Sequence, residues 1–317
     1  MRDYIIRRLL LLAPIMLGVT FLTYAMFRII PGDAAIITCG FGCTPEVVKA
    51  LRHEYGLDQS WYQQYGDWLG GIFKGDLSHS FFTKVPVTTE LGRRLPVTGE
   101  LLTMTIFLSI VLGVPPGVLS AIRPGTPVDW LARVFSVLWL SIPGFWLGIL
   151  IITFGVIWFN WTPPQFGRGY VPFLDDPWVN LQQFFFPALV LSLGIAASIM
   201  RLTRSSMLEV MRNDYIRTAW SKGLRERTVV WRHALKNALI PVVTIIGLQV
   251  GALIGGSVIV ESVFNLNGIG KYILEAILRR DLFVVQSLVL IFASVYVLAN
   301  LAVDIAYGWL DPRIRYG

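Results

Sequence analysis

Six apolar stretches, most of them about 20 residues long, recur along the chain, and none of them contains Asp, Glu, Lys or Arg. A helix needs about 20 apolar residues to cross a bilayer core about 30 Å thick. The stretches are 9–27, 101–122, 134–159, 184–200, 238–260 and 282–303. The pattern predicts an all-α, polytopic membrane protein with six transmembrane helices. The fourth stretch is short and carries Pro187, which neighbouring helices can accommodate by satisfying the freed backbone groups.

The amino-acid composition also fits a protein that lies in a membrane. Hydrophobic residues make up 55% of the chain and charged residues 15%, whereas soluble domains carry about 25% charged residues. The first residues resemble the start of a signal peptide, with Arg2, Arg7 and Arg8 ahead of an apolar run. That run is too long for a signal peptide and no small-residue cleavage site follows it. We therefore expect a retained first span.

The distribution of Lys and Arg predicts the orientation. Nine basic residues lie between Arg201 and Lys236, whereas the segment 160–183 holds only Arg168. Because basic residues concentrate in cytoplasmic loops, the segment 201–236 is expected inside. With six crossings, both termini are then cytoplasmic. The net charge of +7 reflects this topology rather than an affinity for nucleic acid.

The long segment between the first two spans is expected outside. Its sequence predicts a helix over 45–55 with Thr44 as N-cap. It also carries Trp61, Tyr62, Tyr65 and Trp68. These aromatic residues suit a membrane interface or a docking surface, or they close over the ends of the spans. Cys39 and Cys43 lie in the same segment, where oxidising conditions would permit a disulfide; both the disulfide and free thiols remain open.

Motifs that would make the chain an enzyme are missing from the sequence. It contains no phosphate-binding loop, no nucleophile elbow and no zinc-protease helix, since His53-Glu54 lacks a second His four residues after the first. We predict no catalytic residues and no metal site. The spans also lack the buried charges typical of ion-coupled carriers, which disfavours a gradient-driven carrier. A membrane-embedded enzyme is the remaining alternative, and no convergent catalytic side chains indicate one.

The segment RNDYIRTAWSKG predicts a short helix over 215–222, with Asp214 as its cap and Gly223 ending it in a left-handed turn. A helix of two turns is not stable alone, so it must lie against something. Ala219 is small enough for close approach, while Tyr215, Ile216 and Trp220 offer apolar contact. An amphipathic turn resting on lipid is the simpler alternative.

This segment, followed by ALIP, resembles the EAA loop of ABC-importer permeases, whose pattern is E-A-A-x-x-x-G with a distal proline. Arg217, Thr218 and Ala219 stand at the first three positions, Gly223 at the glycine and Pro241 at the proline. In that family the loop forms a coupling helix seated in a groove of the ATP-binding subunit. The resemblance assigns this role to Asp214, Tyr215, Ile216, Arg217, Thr218, Ala219, Trp220, Lys222 and Gly223.

Further segments are similar to dipeptide and oligopeptide permeases, in the same order along the chain. They are RRLLLLAPIMLGVTFLTYAMFRIIPGD, YGLDQSWYQQYGDWLGGIFKGDLSHS, RLPVTGELL, SIPGFWLGIL, GGSVIVESVFNLNGIGKYI and LDPRIRYG. The resemblance implies a type I ABC importer permease fold in a bacterial inner membrane. It divides the chain into 1–30 (N-terminus and first span), 31–99 (extracytoplasmic loop) and 100–317 (a five-helix core with the coupling loop 201–237).

The resemblance also implies partners. They are a second homologous permease subunit, two ATP-binding subunits and an extracytoplasmic substrate-binding protein. ATP and Mg²⁺ would be bound by those ATPases, and this chain would bind no cofactor and hydrolyse no ATP. Peptides are the expected substrate, with nickel, glutathione and oligosaccharides as alternatives within the same branch.

Small residues and a proline indicate how the spans pack. Gly247, Gly251 and Gly255 lie four apart in the fifth stretch, a spacing that lets helices approach closely. They could pack within this chain or at the seam between two permeases. Pro143-Gly144 should kink the third span. Asn237, Gln249 and Asn300 are candidates for interhelical hydrogen bonds.

Overall fold

A computed structural model describes residues 2–29, 32–40 and 42–310, and within them the side chains of residues 10–302. The C-terminal segment 311–317, most of LDPRIRYG, lies outside the described residues. The helices are α1 (Arg2–Ile29), α2 (Ala34–Cys39), α3 (Pro45–Glu54), α4 (Trp61–Phe73), α5 (Val87–Ile122), α6 (Pro127–Ser141), α7 (Gly144–Phe159), α8 (Pro177–Val210), α9 (Asp214–Ser221), α10 (Glu226–Val263), α11 (Ile269–Arg279) and α12 (Leu282–Leu310).

Five of the described helices, α1, α5, α8, α10 and α12, are long and apolar enough to cross a membrane. The fourth predicted stretch lies inside α8, a helix of 34 residues that continues through Pro187. Helix α10 begins with a short α-helical segment, Glu226–Thr228, which is followed by a π-helical segment, Val229–Ala234, and then by its long α-helical part. The predicted spans therefore occur where the apolar pattern places them, with one exception.

The exception is the third predicted span, 134–159, which is two helices rather than one. Helices α6 and α7 meet at an angle of 95°, and as a bent pair they make up a sixth span or a re-entrant loop. Ile142 has extended backbone angles, φ −90° and ψ 122°, as expected for a residue that precedes proline. Pro143 stands at the N-cap of α7. The predicted kink is therefore a complete break of the helix.

The chain divides into two compact units, residues 1–98 with 267–298 (unit one) and 99–266 with 299–317 (unit two). In unit one, Tyr24, Tyr55, Phe81 and Leu282 form a buried cluster. The Tyr65 ring packs 5.6 Å from that of Tyr24, and Trp68 is buried. Tyr65 thus packs on α1, and the Trp61 ring meets that of Phe21 in α1 edge-on at 6.4 Å. Trp61 and Tyr62 are still 54% and 61% exposed, which leaves them available for an interface.

The loop around the two cysteines is closed covalently. The structure joins Cys39 and Cys43 in a disulfide, with their Cα atoms 5.9 Å apart. Thr44 stands at the N-cap of α3, as predicted, although its side chain makes no capping hydrogen bond. The disulfide therefore connects the end of α2 to the residue before this cap.

In unit two, α8 packs against α6, α7 and α10. It also approaches α5 closely at Gly113 and Gly117. A Cβ atom on Gly117 would lie 2.8 Å from the carbonyl oxygen of Met200, and one on Gly113 would lie 2.9 Å from that of Ala196. Only residues without a side chain allow this approach. The sequence reasoning did not identify this pair of glycines.

The glycines singled out in the fifth stretch behave differently from one another. Gly247 is buried, Gly251 is half-buried and Gly255 is exposed. A Cβ atom on Gly255 would meet nothing within 4 Å. Among the described residues, Gly255 therefore makes no close approach to another helix.

Candidate functional site

Helix α9 is the short helix that the sequence predicts, shifted by one residue. Asn213 stands at its N-cap, and Asp214 is the first helical residue. The prediction that Asp214 caps the helix is therefore wrong. Asp214 lies instead in the first turn, where a carboxylate interacts favourably with the helix dipole.

The predicted left-handed end of α9 is confirmed. Gly223 has φ +73°, a conformation that glycine adopts without a steric penalty. Its N–H donates to the carbonyl of Trp220 at 2.9 Å, and the N–H of Leu224 donates to the carbonyl of Ala219 at 3.4 Å. These two hydrogen bonds form a Schellman motif, which satisfies the last carbonyls of the helix.

One face of α9 is buried within the chain itself. Ile216 and Ala219, three residues apart and hence on one side of the helix, are 0% and 7% exposed. The surrounding cluster, here called the α9 platform, consists of Val118, Ala121, Met207, Val229, Val230, Ala234 and Ala238. Helices α5, α8 and α10 supply these residues. Ala219 and Ile216 therefore seat α9 on its own unit, with both side chains packed against the platform.

The rest of α9 is exposed. Arg217 and Thr218 lie opposite the platform, whereas Tyr215 and Trp220 lie beside it, because they are four residues from Ala219 and Ile216; Lys222 follows the helix and is also exposed. The amide nitrogen of Asn237 on α10 donates to the hydroxyl oxygen of Tyr215 at 2.7 Å, which confirms Asn237 as an interhelical hydrogen-bond partner. The exposed face thus combines two aromatic side chains with basic residues, and one of the aromatic side chains is fixed in place.

A buried ion pair lies beside the platform, and sequence reasoning missed it. The Asp129 side chain is 2% exposed, and the Arg204 guanidinium donates to both of its carboxylate oxygens, at 2.7 and 3.1 Å. Ser120 and the backbone N–H of Gly125 donate to the same carboxylate. Two-pronged pairs of this kind are among the stronger hydrogen-bonded contacts. The pair ties the ends of α5 and α8 to the start of α6.

The sequence also predicts that the chain has no metal site and no catalytic residues. Among the described residues, no group of three or more His, Cys, Asp or Glu side chains is arranged to hold a metal ion. The arrangement around α9 also brings together no nucleophile and base. Its chemistry is that of a contact surface, with a packed apolar side and an exposed aromatic and basic side.

Comparison with known proteins gives this surface a context. Residues 113–316 match the family described as binding-protein-dependent transport system inner membrane component, and residues 1–102 match its N-terminal family. A Brucella abortus (strain 2308) protein whose name assigns it to peptide transport as a permease is 42% identical over 316 residues, covering all of both chains. The dipeptide transport system permease protein DppB of Escherichia coli (strain K12) is 39% identical over 337 residues, covering 100% of this chain and 99% of that protein.

A solved structure supports the fold. The inward-facing MetNI methionine ABC transporter matches with a TM-score of 0.54 and 21% identity, covering 70% of this chain and 96% of the matched chain. At this identity the likeness concerns the fold alone. The chain therefore belongs to the family of binding-protein-dependent transport system inner membrane components, the permease subunits of ABC importers.

Proposed function

We propose that this chain forms part of the translocation path of a bacterial importer for dipeptides or oligopeptides, and that α9 is its coupling helix. The peptide substrate follows from relatives with 42% and 39% identity that are named for peptide and dipeptide transport. The partners are a second permease, two ATP-binding subunits and an external binding protein. The ATPases bind and hydrolyse ATP, and this chain binds no cofactor.

The observation that carries the coupling role is that α9 is buried on one face and exposed over the rest of its surface. A helix of eight residues is too short to be stable by itself, and the platform holds it through Ile216 and Ala219. When a partner displaces a surface helix that is held by packing, the displacement passes to the helices against which it packs. Because α5, α8 and α10 all contribute to the platform, movement of α9 reaches three spans at once.

Charge supports the orientation of this surface. Arg204, Arg212, Arg217, Lys222, Arg225, Arg227, Arg232 and Lys236 all lie on the helix ends around α9 or in its flanking loops. Cytoplasmic loops are enriched in such residues, so we place α9 on the cytoplasmic side with both termini. ATP-driven closure of the ATPases then moves α9 and reorients the spans between inward-open and outward-open states.

Cross-linking tests this contact directly. The chain has two cysteines, both in the disulfide, so Thr218→Cys on the exposed face of α9 introduces a single free thiol. We expect this thiol to cross-link to an ATP-binding subunit in the assembled transporter, and expect no such product from Ser141→Cys at the α6–α7 break. Absence of a Thr218→Cys cross-link to any ATP-binding subunit would refute the coupling role.

Transport assays test the consequence. In proteoliposomes that contain all subunits, Trp220→Ala should uncouple ATP hydrolysis from peptide uptake, because Trp220 is 43% exposed on the outer face of α9. Trp178→Ala, which removes the same side chain from an exposed site at the start of α8, is the matched control and should retain coupling. Equal uptake per ATP in both variants would contradict the proposal.

A further inference from the structure

The break between α6 and α7 lies beside a cavity of about 430 Å³ in unit two, here called the α6–α7 cavity. Its walls are mostly apolar, with Trp139, Ser198 and Gln249 as the side chains that carry polar groups. Cavities that bind small ligands measure about 300–1,000 Å³ and combine apolar walls with a few placed polar groups. The cavity therefore has the size and lining of a ligand site.

The backbone of Trp139 supplies a hydrogen-bond acceptor there. Pro143 has no N–H, so the Trp139 carbonyl lacks the donor that a continuous helix would provide four residues later. A Cβ atom on Gly194 of α8 would lie 3.8 Å from this carbonyl oxygen. Because Gly194 has no side chain, it leaves that side of the oxygen uncovered. Irregular backbone at membrane depth is tolerated where it is buried in protein or lines a water-filled cavity.

The side chain of Trp139 supplies an unused donor. Its indole nitrogen is buried and has no hydrogen-bond partner among the described residues. A buried donor without a partner is costly, and native structures rarely retain one without a reason. Trp139, which lines the cavity, thus carries both an acceptor without its usual donor and a buried donor without an acceptor.

We infer that the α6–α7 cavity receives a backbone peptide group of the transported peptide. A peptide group offers one N–H and one carbonyl, which complement the Trp139 carbonyl and the Trp139 indole, with Gln249 and Ser198 as further partners. The inference rests on the proposed function and adds the contact site to it. Because the indole N–H is shielded from water in this conformation, it reaches the peptide when the break opens during transport.

The lining also discriminates among substrate classes. None of the residues that line the cavity is Asp, Glu, Lys, Arg or His. A nickel ion would find no imidazole or carboxylate ligand, and a charged group would be desolvated without a partner. The uncharged peptide group fits, with the charged ends of the peptide held outside the cavity, and the peptide side chains face apolar walls that do not select strongly among them. Backbone recognition therefore suits an importer that accepts many peptide sequences.

The first test is uptake of radiolabelled Ala-Phe by the complete transporter in proteoliposomes. Trp139→Phe removes the indole N–H and keeps an aromatic ring, and Gln249→Leu removes the amide at similar size. Loss of one such hydrogen bond should lower the uptake rate about three- to tenfold. The matched control is Trp158→Phe on α7, where the side chain is exposed and does not line the cavity; it should retain wild-type uptake.

A second measurement does not depend on how these variants fold. Ser198→Cys places a free thiol in the cavity wall, and the dipeptide during ATP turnover should slow its labelling by a charged thiol reagent. At half occupancy of the cavity the labelling rate should fall by about half. Wild-type uptake from Trp139→Phe, or a Ser198→Cys thiol that peptide does not protect or that no reagent reaches, overturns the inference. If wild-type protein takes up no Ala-Phe at all, the proposed function fails first and the inference with it.

Discussion

The α9 platform and the α6–α7 cavity lie in the same unit and are built on opposite principles. At the platform, apolar side chains from three helices close around Ile216 and Ala219, and the nearby Asp129 carboxylate accepts hydrogen bonds from Ser120, Gly125 and Arg204. At the cavity, the helix is broken, a volume remains open, and the indole nitrogen of Trp139 has no partner.

This difference separates two tasks. Tight packing with satisfied polar groups resists deformation, since protein interiors are dense and transmit displacement. Unsatisfied polar groups beside open volume stabilise no single arrangement and favour any state that supplies a partner. The platform is therefore suited to receiving a displacement, and the cavity to changing its shape in response. Substitutions at the platform should reduce stability, whereas substitutions at the cavity should change transport.

The largest expected effect is at the buried ion pair. Asp129→Ala leaves the Arg204 guanidinium without its carboxylate, and breaking a buried pair in this way costs about 3–5 kcal/mol. Thermal unfolding of the purified protein in detergent measures the loss, with Asp175→Ala at an exposed loop position as control. Adding Arg204→Met to Asp129→Ala should recover part of the stability, since the partly buried guanidinium is then removed, whereas Arg133, the other cation that pairs with Asp129, is 55% exposed and stays solvated. A single variant as stable as the control would contradict the role of the pair.

The next effect concerns the close approach of α5 and α8 next to the platform. Gly117→Ala places a methyl group 2.8 Å from the Met200 carbonyl, and such overpacking costs about 1–3 kcal/mol. Gly99→Ala, in the same helix, meets nothing within 4 Å and should instead stabilise by about 0.5–1 kcal/mol, because alanine favours helix. Opposite signs of the two shifts in unfolding temperature are the expected result, and equal signs would argue against close packing at Gly117.

These two sites mark the limit of what one sequence predicts. The spans and α9 follow from local features of the sequence. These features are the length of each apolar stretch, the Pro143-Gly144 pair that interrupts the third stretch, and the glycine at 223 that ends α9. The structure has helices where these features predict them. The pairing of Asp129 with Arg204 depends on two charges 75 residues apart, which no local pattern connects. The spacing of Gly113 and Gly117 matches that of Gly247, Gly251 and Gly255, so only the structure shows which glycines meet a helix of this chain.

The same limit applies to the burial of Ala219. In a helix of two turns, Ile216 and Ala219 form one face and Tyr215 and Trp220 flank it at a spacing of four residues, so the sequence alone does not show which of these apolar side chains are buried. Which face is buried depends on the helices that surround α9. Residues 118–121, 207 and 229–238 supply that surrounding, and they come from three separate spans. The sequence does not predict the cavity either, although Pro143 and Gln249 both stand out in the pattern.

A third prediction tests the broken helix itself. Pro143→Ala restores an N–H that can bond to the Trp139 carbonyl and so favours a straighter helix. We expect the unfolding temperature to stay the same or to rise, while peptide uptake falls severalfold because the cavity loses its acceptor. Pro14→Ala, at an exposed position within α1, is the control and should leave uptake intact. If Pro143→Ala lowered the unfolding temperature but left uptake unchanged, the broken helix would serve stability rather than transport, and the contrast between platform and cavity would be reversed.

The smallest effect belongs to the exposed side of α9. Tyr215→Phe removes the hydroxyl that accepts a hydrogen bond from Asn237. A hydrogen bond contributes about 0.5–1.5 kcal/mol to the free energy of unfolding when it is buried. At this exposed position we therefore expect a loss of less than about 1 kcal/mol. Uptake per ATP should be unchanged, because the aromatic ring that faces the partner remains. Tyr62→Phe on α4, also exposed, controls for loss of a tyrosine hydroxyl. If Tyr215→Phe uncoupled transport as strongly as Trp220→Ala, the hydroxyl rather than the ring would be the contact. The hydrogen bond from Asn237 on α10 to Tyr215 on α9 would then itself belong to the route by which displacement reaches the spans.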